Sequence, residues 1–369
     1  MKSLENFKGC LVGGAVGDAL GYPVEFYNIE QIKNIYGKNG ITEYKITDGK
    51  AVISDDTQMT LFTANGILIG KTRAMMRGIA GSCEGYVYQA YLDWLDTQQN
   101  TKKEIGCTWL SKIKELNVQR APGNTCIGSL RSGIMGTIEK PINNSKGCGG
   151  VMRVAPIGLY FTKLSLDEIG RIGAKTNAIT HGHPLGNISS YVMTVLINTI
   201  IYGEYEYFEV PSKRNLEECI EFALTIYAHK FKIYDKKIAS NFINLIHEAI
   251  KLSKQNIDDT KAIEQLGEGW VAEEALAIAI YCSLKYSNNF ENAIITSVNH
   301  SGDSDSTGAI TGNILGAYLG ISKIPNKFLE KLELKEVIEE IAEDLYNDCP
   351  VSEYGDNNSQ EAKRWLEKY

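Results

Sequence analysis

The chain has 369 residues, 43% of them hydrophobic, with a formal charge of -7 and a pI near 5.5. That is enough apolar material for a sizeable core, and a mildly acidic balance with no Lys/Arg block among aromatics argues against free nucleic acid as the primary partner. Eight cysteines, at 10, 83, 107, 126, 148, 219, 282 and 349, include no C-x-x-C pair, which fits reduced thiols in a cytoplasmic protein rather than a disulfide framework or a structural zinc.

The first eight residues lack the apolar stretch of a signal peptide. Helical periodicity then predicts helices over 4–20, 57–68, 84–95, 127–138, 166–176, 185–201, 216–229, 239–252, 271–286, 290–298 and 306–319. Alternation of Val, Ile and Thr is confined to pieces such as 41–46. The longest apolar run, 191–202, is interrupted by Thr194, Asn198 and Thr199 and reads as too short to span a bilayer, so no membrane partner is expected. The expected fold class is all-α, a single compact helical bundle domain over 1–369.

Glycine is frequent, at 35 residues, and inside a helix each costs about 1 kcal/mol relative to alanine. Gly308, Gly312, Gly316 and Gly320 recur every four residues, as do Gly9, Gly13, Gly17 and Gly21. Each series falls on one drifting helix face where another backbone can approach. Contact between the two striped helices would join the beginning of the chain to its end, which favours one domain over two.

Two acidic clusters stand at helix entries. In Ile53-Ser54-Asp55-Asp56-Thr57-Gln58, Asp55 and Gln58 have capping-box spacing and the carboxylates suit a helix dipole. The other reading is a hydroxyl and two carboxylates converging on a hard cation. In His300-Ser301-Gly302-Asp303-Ser304-Asp305-Ser306, capping by Ser304 or Asp305 explains only part of the pattern, whereas D-x-D spacing offers two carboxylates to a shared metal pair. Gly147-Cys148-Gly149-Gly150 is ordinary loop punctuation taken alone, although its backbone N–H groups could cradle a diphosphate.

Gly17-Asp18-Ala19-Leu20-Gly21 leading to Glu25, Ser54-Asp55-Asp56-Thr57, Gly147-Cys148-Gly149-Gly150-Val151-Met152-Arg153, Thr180-His181-Gly182-His183 and Gly302 through Ala309 together resemble the ADP-ribosylglycohydrolase family in order and spacing. The resemblance implies an all-helical fold with two divalent cations, Mg2+ or Mn2+, at the bottom of an ADP-ribose cleft. It makes Ser54, Asp55, Asp56, Asp303, Asp305 and Ser306 the metal ligands, with Asp305 bridging both ions. It makes Glu25, Asp55 and Asp56 the catalytic carboxylates, and Gly147 to Gly150 the substrate contacts.

Other residues are more ambiguous. His181 and His183 form a poor hard-cation pair and are expected at a helix entry and on the cleft wall, with His183 the candidate to touch substrate. Arg131 and Arg153 are weaker phosphate candidates. Arg120 through Cys126 reads as a Pro122-Gly123 turn with Asn124 as a cap, outside the catalytic set. Trp270 and Glu273 could border the cleft or anchor a core helix.

The implied activity is hydrolysis of an ADP-ribosyl bond, with an ADP-ribosylated protein as partner and ADP-ribose as product. The acidic motifs resemble the arginine-directed branch most. Serine-, acetyl- or nucleic-acid-linked ADP-ribose is the alternative, and a non-catalytic, crystallin-like binding protein is the alternative outside enzymes.

Overall fold

The computed structural model describes residues 2–99, 108–203, 215–232, 234–355 and 357–369. Helices dominate them. In chain order come α1 (Leu4–Gly21), α2 (Ile29–Tyr36), a small antiparallel hairpin of β1 (Ile46–Thr47) and β2 (Lys50–Ala51), α3 (Asp55–Arg77), α4 (Cys83–Gln99), α5 (Asn124–Arg131) and α6 (Ala155–Tyr160). Then follow α7 (Leu166–Ala178), α8 (Pro184–Tyr202), α9 (Leu216–Lys230), α10 (Lys236–Ser253), α11 (Asp259–Leu266) and α12 (Ala272–Lys285). The chain continues through α13 (Phe290–Val298), α14 (Ser304–Leu319), α15 (Asn326–Leu329), α16 (Lys335–Asn347) and α17 (Gln360–Lys368).

The glycine stripes meet as expected, α1 lying against α14. A Cβ added to Gly17 would stand 2.0 Å from the Gly308 carbonyl oxygen, and one on Gly312 would stand 1.9 Å from that of Gly13. The helices touch backbone to backbone, and this close approach is what offsets the glycines' poor helix propensity. One buried apolar cluster extends from Phe7 to Tyr369 and includes most of the inward side chains of α1, α8 and α12.

Four sequence expectations need correction. The helix expected over 127–138 is α5, which starts earlier and stops at Arg131 because Gly133 takes a left-handed φ of 69°. The 41–46 segment is not a strand at its start: Ile41 exchanges two hydrogen bonds with the Asn299 side-chain amide. The short amphipathic helices α2, α11, α16 and α17 escaped the periodicity reading. Finally, α8 has the length and mean hydropathy, 1.3, to cross a bilayer, but 83% of that stretch is buried within the molecule, where α6, α7, α9 and α12 cover it. The described cysteines are free thiols, and Cys107 lies outside the described residues.

Candidate active site

Three chain segments converge where the glycine helices cross. Helix α3 opens with Ser54 as its N-cap, the Ser54 Oγ accepting from the Asp56 N–H at 3.2 Å. Asp18, fully buried on α1, accepts from the Ser54 N–H at 2.9 Å, from the Thr57 N–H at 3.1 Å and from the Thr57 hydroxyl. The expected Asp55/Gln58 capping box is therefore absent. A carboxylate from α1 caps the helix from outside, and Gln58 instead accepts from the Trp94 indole N–H at 3.0 Å.

This arrangement frees Asp55 and Asp56 from capping. At α14 the cap is Asp303, whose Oδ1 accepts from the Ser306 N–H at 3.2 Å, rather than Ser304 or Asp305.

Between these helix starts lies a cavity of about 330 Å³. Glu25, Asp55, Asp56, Asp303, Asp305 and Ser306 line it, together with Gly147, Cys148, Gly149 and Met152. His181, Phe26, Trp270 and the whole of Ala121 through Cys126 complete the wall. The latter segment, which sequence reasoning left out, is held by Asp55: its N–H donates to the Arg120 carbonyl at 3.0 Å and its Oδ2 accepts from the Gly123 N–H at 3.1 Å. A second cavity of about 520 Å³ shares Asn124 and Thr125 with the first and continues along Ser129, Ile134, Ile142, Asn143 and Ser145. A larger one, about 690 Å³, between Thr97, Gln98, Asn117, Gln119 and Arg131 is lined by no carboxylate among the described residues.

Several expected site residues fall elsewhere. Ser54 is behind the wall with its hydroxyl engaged as the α3 cap. Gly150 packs against Asn177, where a Cβ would meet the Oδ1 at 1.7 Å. His183 N-caps α8, its Nδ1 accepting from the Leu185 N–H at 3.1 Å, so His181 is the cavity-lining histidine of the pair. The backbone donors at 147–150 are fewer than expected, because the Cys148 N–H already donates to the Trp270 carbonyl at 3.2 Å. Arg131 is exposed, away from this cavity, and Arg153 is fully buried behind it. Asn124 is the first residue of α5 rather than its cap.

Trp270 is no core anchor: it stacks on Phe26 at 5.8 Å between ring centroids, and both rings are substantially exposed at the cavity. Glu273 pairs with Lys146 beside it. The Cys148 thiol donates to Asp303 Oδ2 at 2.7 Å, a contact that only the folded chain reveals.

The electrostatics of the cavity are dominated by uncompensated negative charge. Burial pushes Glu25 up to about 9, with the charges of Asp303 and Asp55 adding to it. Burial likewise raises Asp55 to about 8 and the capping Asp18 to about 6. Asp56, Asp303 and Asp305 move in the same direction, burial first, with neighbouring carboxylates reinforcing the rise in Asp56 and Asp305.

Among the described residues no lysine or arginine lines the cavity, and Glu25 Oε2 and Asp56 Oδ2 are buried without a hydrogen-bond partner. Buried carboxylates gathered this way need protons or cations between them. Oxygen donors of this kind fit hard divalent cations. Among the described residues no three His, Cys, Asp or Glu side chains already close into a cage.

The profile of the ADP-ribosylglycohydrolase family matches residues 1–354. The chain is 27% identical to ADP-ribosylhydrolase ARH1 of Dictyostelium discoideum, covering 93% of this chain and 94% of that protein. It is 24% identical to ADP-ribosylarginine hydrolase Tri1 of Serratia proteamaculans, over 96% of this chain and 82% of the relative. A solved structure titled ADP-ribosylglycohydrolase-related protein complex superposes with a TM-score of 0.61 at 20% identity, covering 93% of this chain and 98% of that one.

Proposed function

From the premise that the chain belongs to the ADP-ribosylglycohydrolase family, a family of glycosidic-bond hydrolases, we propose that it releases ADP-ribose from ADP-ribosylated arginine on a protein, with divalent cations at its acidic cavity. The observation that carries this reading is the set of buried carboxylates at one cavity, with unpartnered oxygens on Glu25 and Asp56 and, among the described residues, no lysine or arginine on its wall. Asp55 and Asp56 from α3, and Asp303, Asp305 and Ser306 from α14, would hold two cations, Mg2+ or Mn2+. When bound, these would orient the ribose hydroxyls of the scissile sugar and acidify water.

The chain's own groups account for the remaining requirements. Cleavage at an anomeric carbon develops oxocarbenium character, which the surrounding carboxylates favour electrostatically. Water adds to that carbon and gives up one proton, the bond to the guanidino nitrogen breaks, and the nitrogen takes that proton up. Glu25, whose buried Oε2 has no hydrogen-bond partner, can relay that proton from the water to the leaving group.

His181, Thr125, Gly147 and Gly149 offer a polar, uncrowded wall for the diphosphate. The adjoining 520 Å³ cavity, with hydroxyls, amides and two isoleucines, suits a nucleoside. The exposed Phe26–Trp270 pair suits a planar guanidinium at the mouth, which supports arginine as acceptor, as does the likeness to an ADP-ribosylarginine hydrolase.

The test is to incubate the protein with arginine-, serine- and nucleic-acid-linked ADP-ribose substrates and follow ADP-ribose release. Fastest cleavage of the arginine linkage is expected. Preference for another linkage would refute arginine as the acceptor, and no cleavage of any would refute the catalytic reading.

A further inference from the structure

Arg153 is among the largest fully buried side chains of the described residues, and it does not line the acidic cavity. Its guanidinium lies over the Tyr91 ring at 4.3 Å, and its hydrogen bonds go to neutral atoms: Thr180 Oγ1 at 2.6 Å, the Thr176 carbonyl at 3.4 Å, and the sulfurs of Met59 and Cys126. A buried cation without a carboxylate on it is costly. Packing alone would be served as well by an apolar side chain of similar size, so the charge needs a separate explanation.

The donor and acceptor chemistry supplies it. A guanidinium can only donate, so Thr180 Oγ1 accepts from Arg153, and its own proton is left for His181 Nδ1, 2.8 Å away. The Cys126 sulfur, which the Thr180 hydroxyl also meets, is a weaker acceptor than an imidazole nitrogen. Nδ1 therefore accepts, and in a neutral ring the proton sits on Nε2. Burial and the Arg153 charge both hold His181 down to about 3, so the ring is neutral at physiological pH.

Nε2 faces the two glycines of the cavity wall. A Cβ on Gly147 would lie 3.3 Å from it and one on Gly149 3.4 Å, so a side chain at either position would crowd this nitrogen and the glycines leave it open.

We propose that Arg153 is a positioning residue: acting through the Thr180 hydroxyl, it locks His181 as the neutral Nε2–H tautomer, giving the cavity one fixed N–H donor for an anionic oxygen beside Gly147 and Gly149. The ligand half of this proposal rests on the ADP-ribose reading, whose diphosphate would supply that oxygen; the tautomer half does not. Arg153 thus serves the anion indirectly. Its own charge is kept out of the cavity, where it would neutralise carboxylates needed for cations.

The experiment is nitrogen-15 NMR of the full chain labelled at histidine, with saturating Mg2+, His181 being assigned from a His181→Gln sample. ADP-ribose titration calorimetry is run on the same preparations. The wild type is expected to show a protonated Nε2 and an unprotonated Nδ1 from pH 6 to 9.

Thr180→Val keeps the branched shape but removes the relay. It should convert the signal to a tautomer mixture and weaken ADP-ribose roughly tenfold, the scale of one lost hydrogen bond to a charged group. Arg153→Lys should retain the wild-type tautomer in larger part than Arg153→Met, and Thr180→Val decides the matter if the Arg153 variants fail to fold. A wild-type Nδ1–H ring, or an unchanged tautomer and affinity in Thr180→Val, would overturn the proposal. A wild type that holds the Nε2–H tautomer but binds no ADP-ribose would support the relay and overturn the diphosphate reading.

Discussion

Gly312→Ala sets two physical effects against each other. Helix propensity alone predicts that alanine stabilises α14 by about 1 kcal/mol. The packing predicts the reverse. The new Cβ would lie 1.9 Å from the Gly13 carbonyl oxygen and 2.4 Å from its carbon, whereas ordinary contact begins near 3.4 Å, so the two backbones must part by roughly 1.5 Å. No flexible side chain can give way there.

Overpacking of a well-filled site costs about 1–3 kcal/mol, and a backbone-to-backbone clash belongs at the upper end. The expected net loss is about 2 kcal/mol or more, lowering Tm by on the order of 4 °C. The separation also pulls the α14 entry, with Asp303 and Asp305, away from α1, whose Asp18 sets the start of α3. Turnover should therefore fall further than the folded fraction does.

Differential scanning calorimetry of Gly312→Ala against wild type is the assay, with Gly128→Ala as the control. Gly128 is a helical glycine with open space around it, so alanine there should leave Tm unchanged or raise it. A Gly312→Ala protein more stable than wild type, with normal turnover, would refute the crossing as the reason for the glycines.

Asp18→Asn replaces a carboxylate that accepts three donors with a group having a single acceptor oxygen. Chemical denaturation should show a loss of about 1–3 kcal/mol, and turnover should drop with it because α3 loses its outside cap. Asp303→Ala and Asp305→Asn should separate capping from charge. The first removes the α14 cap and should cost about 0.5–2 kcal/mol in a melt. The second removes one of several repelling buried carboxylates and should leave metal-free stability equal or higher while abolishing turnover.

The pH dependence follows from the raised carboxylates. Groups whose folded pKa exceeds the unfolded value, about 4, contribute stability that is full below pH ~4. That contribution is lost as pH rises through the folded values, about 6 for Asp18, about 8 for Asp55 and about 9 for Glu25. A bound cation reverses the cause, so the Tm increment given by Mg2+ should grow from pH 5 to pH 9 in fluorescence melts. An increment that shrinks with pH would contradict this electrostatic picture.

What could be read from the chain alone was what repeats or clusters locally. The four-residue glycine period is a property of one helix face, and two such faces have an obvious use in each other, so the α1–α14 crossing was legible. The acidic pairs at 55–56 and 303–305 were legible because capping explains them incompletely.

Residues acting through distant partners were not legible as such. Asp18 reads as one more polar residue in a glycine-rich helix, and only its approach to Ser54 and Thr57 makes it the cap of α3. His181 and His183 are equivalent in sequence. The chain's path at 177–186 assigns one to the cavity and the other to the α8 cap. The 120–126 segment looked like a turn; it is instead an irregular stretch that runs into α5 at Asn124, and its Gly123 N–H meeting Asp55 makes it a wall of the site. The Phe26–Trp270 stack joins residues 244 positions apart in the sequence; Trp270 read as a possible cleft border, whereas nothing local marked Phe26 as its partner.

The proposed activity requires this acidic cavity to be a cation centre for ADP-ribosyl hydrolysis. The most direct measurement is calorimetric titration of Mg2+ or Mn2+ into chelator-stripped protein, paired with ADP-ribose release at each point. Two bound cations per chain are predicted, with turnover rising from background as they bind and with both signals lost in folded Asp305→Ala. Full turnover after verified metal removal, or a folded Asp305→Ala enzyme with near-normal rate and metal affinity, would contradict it.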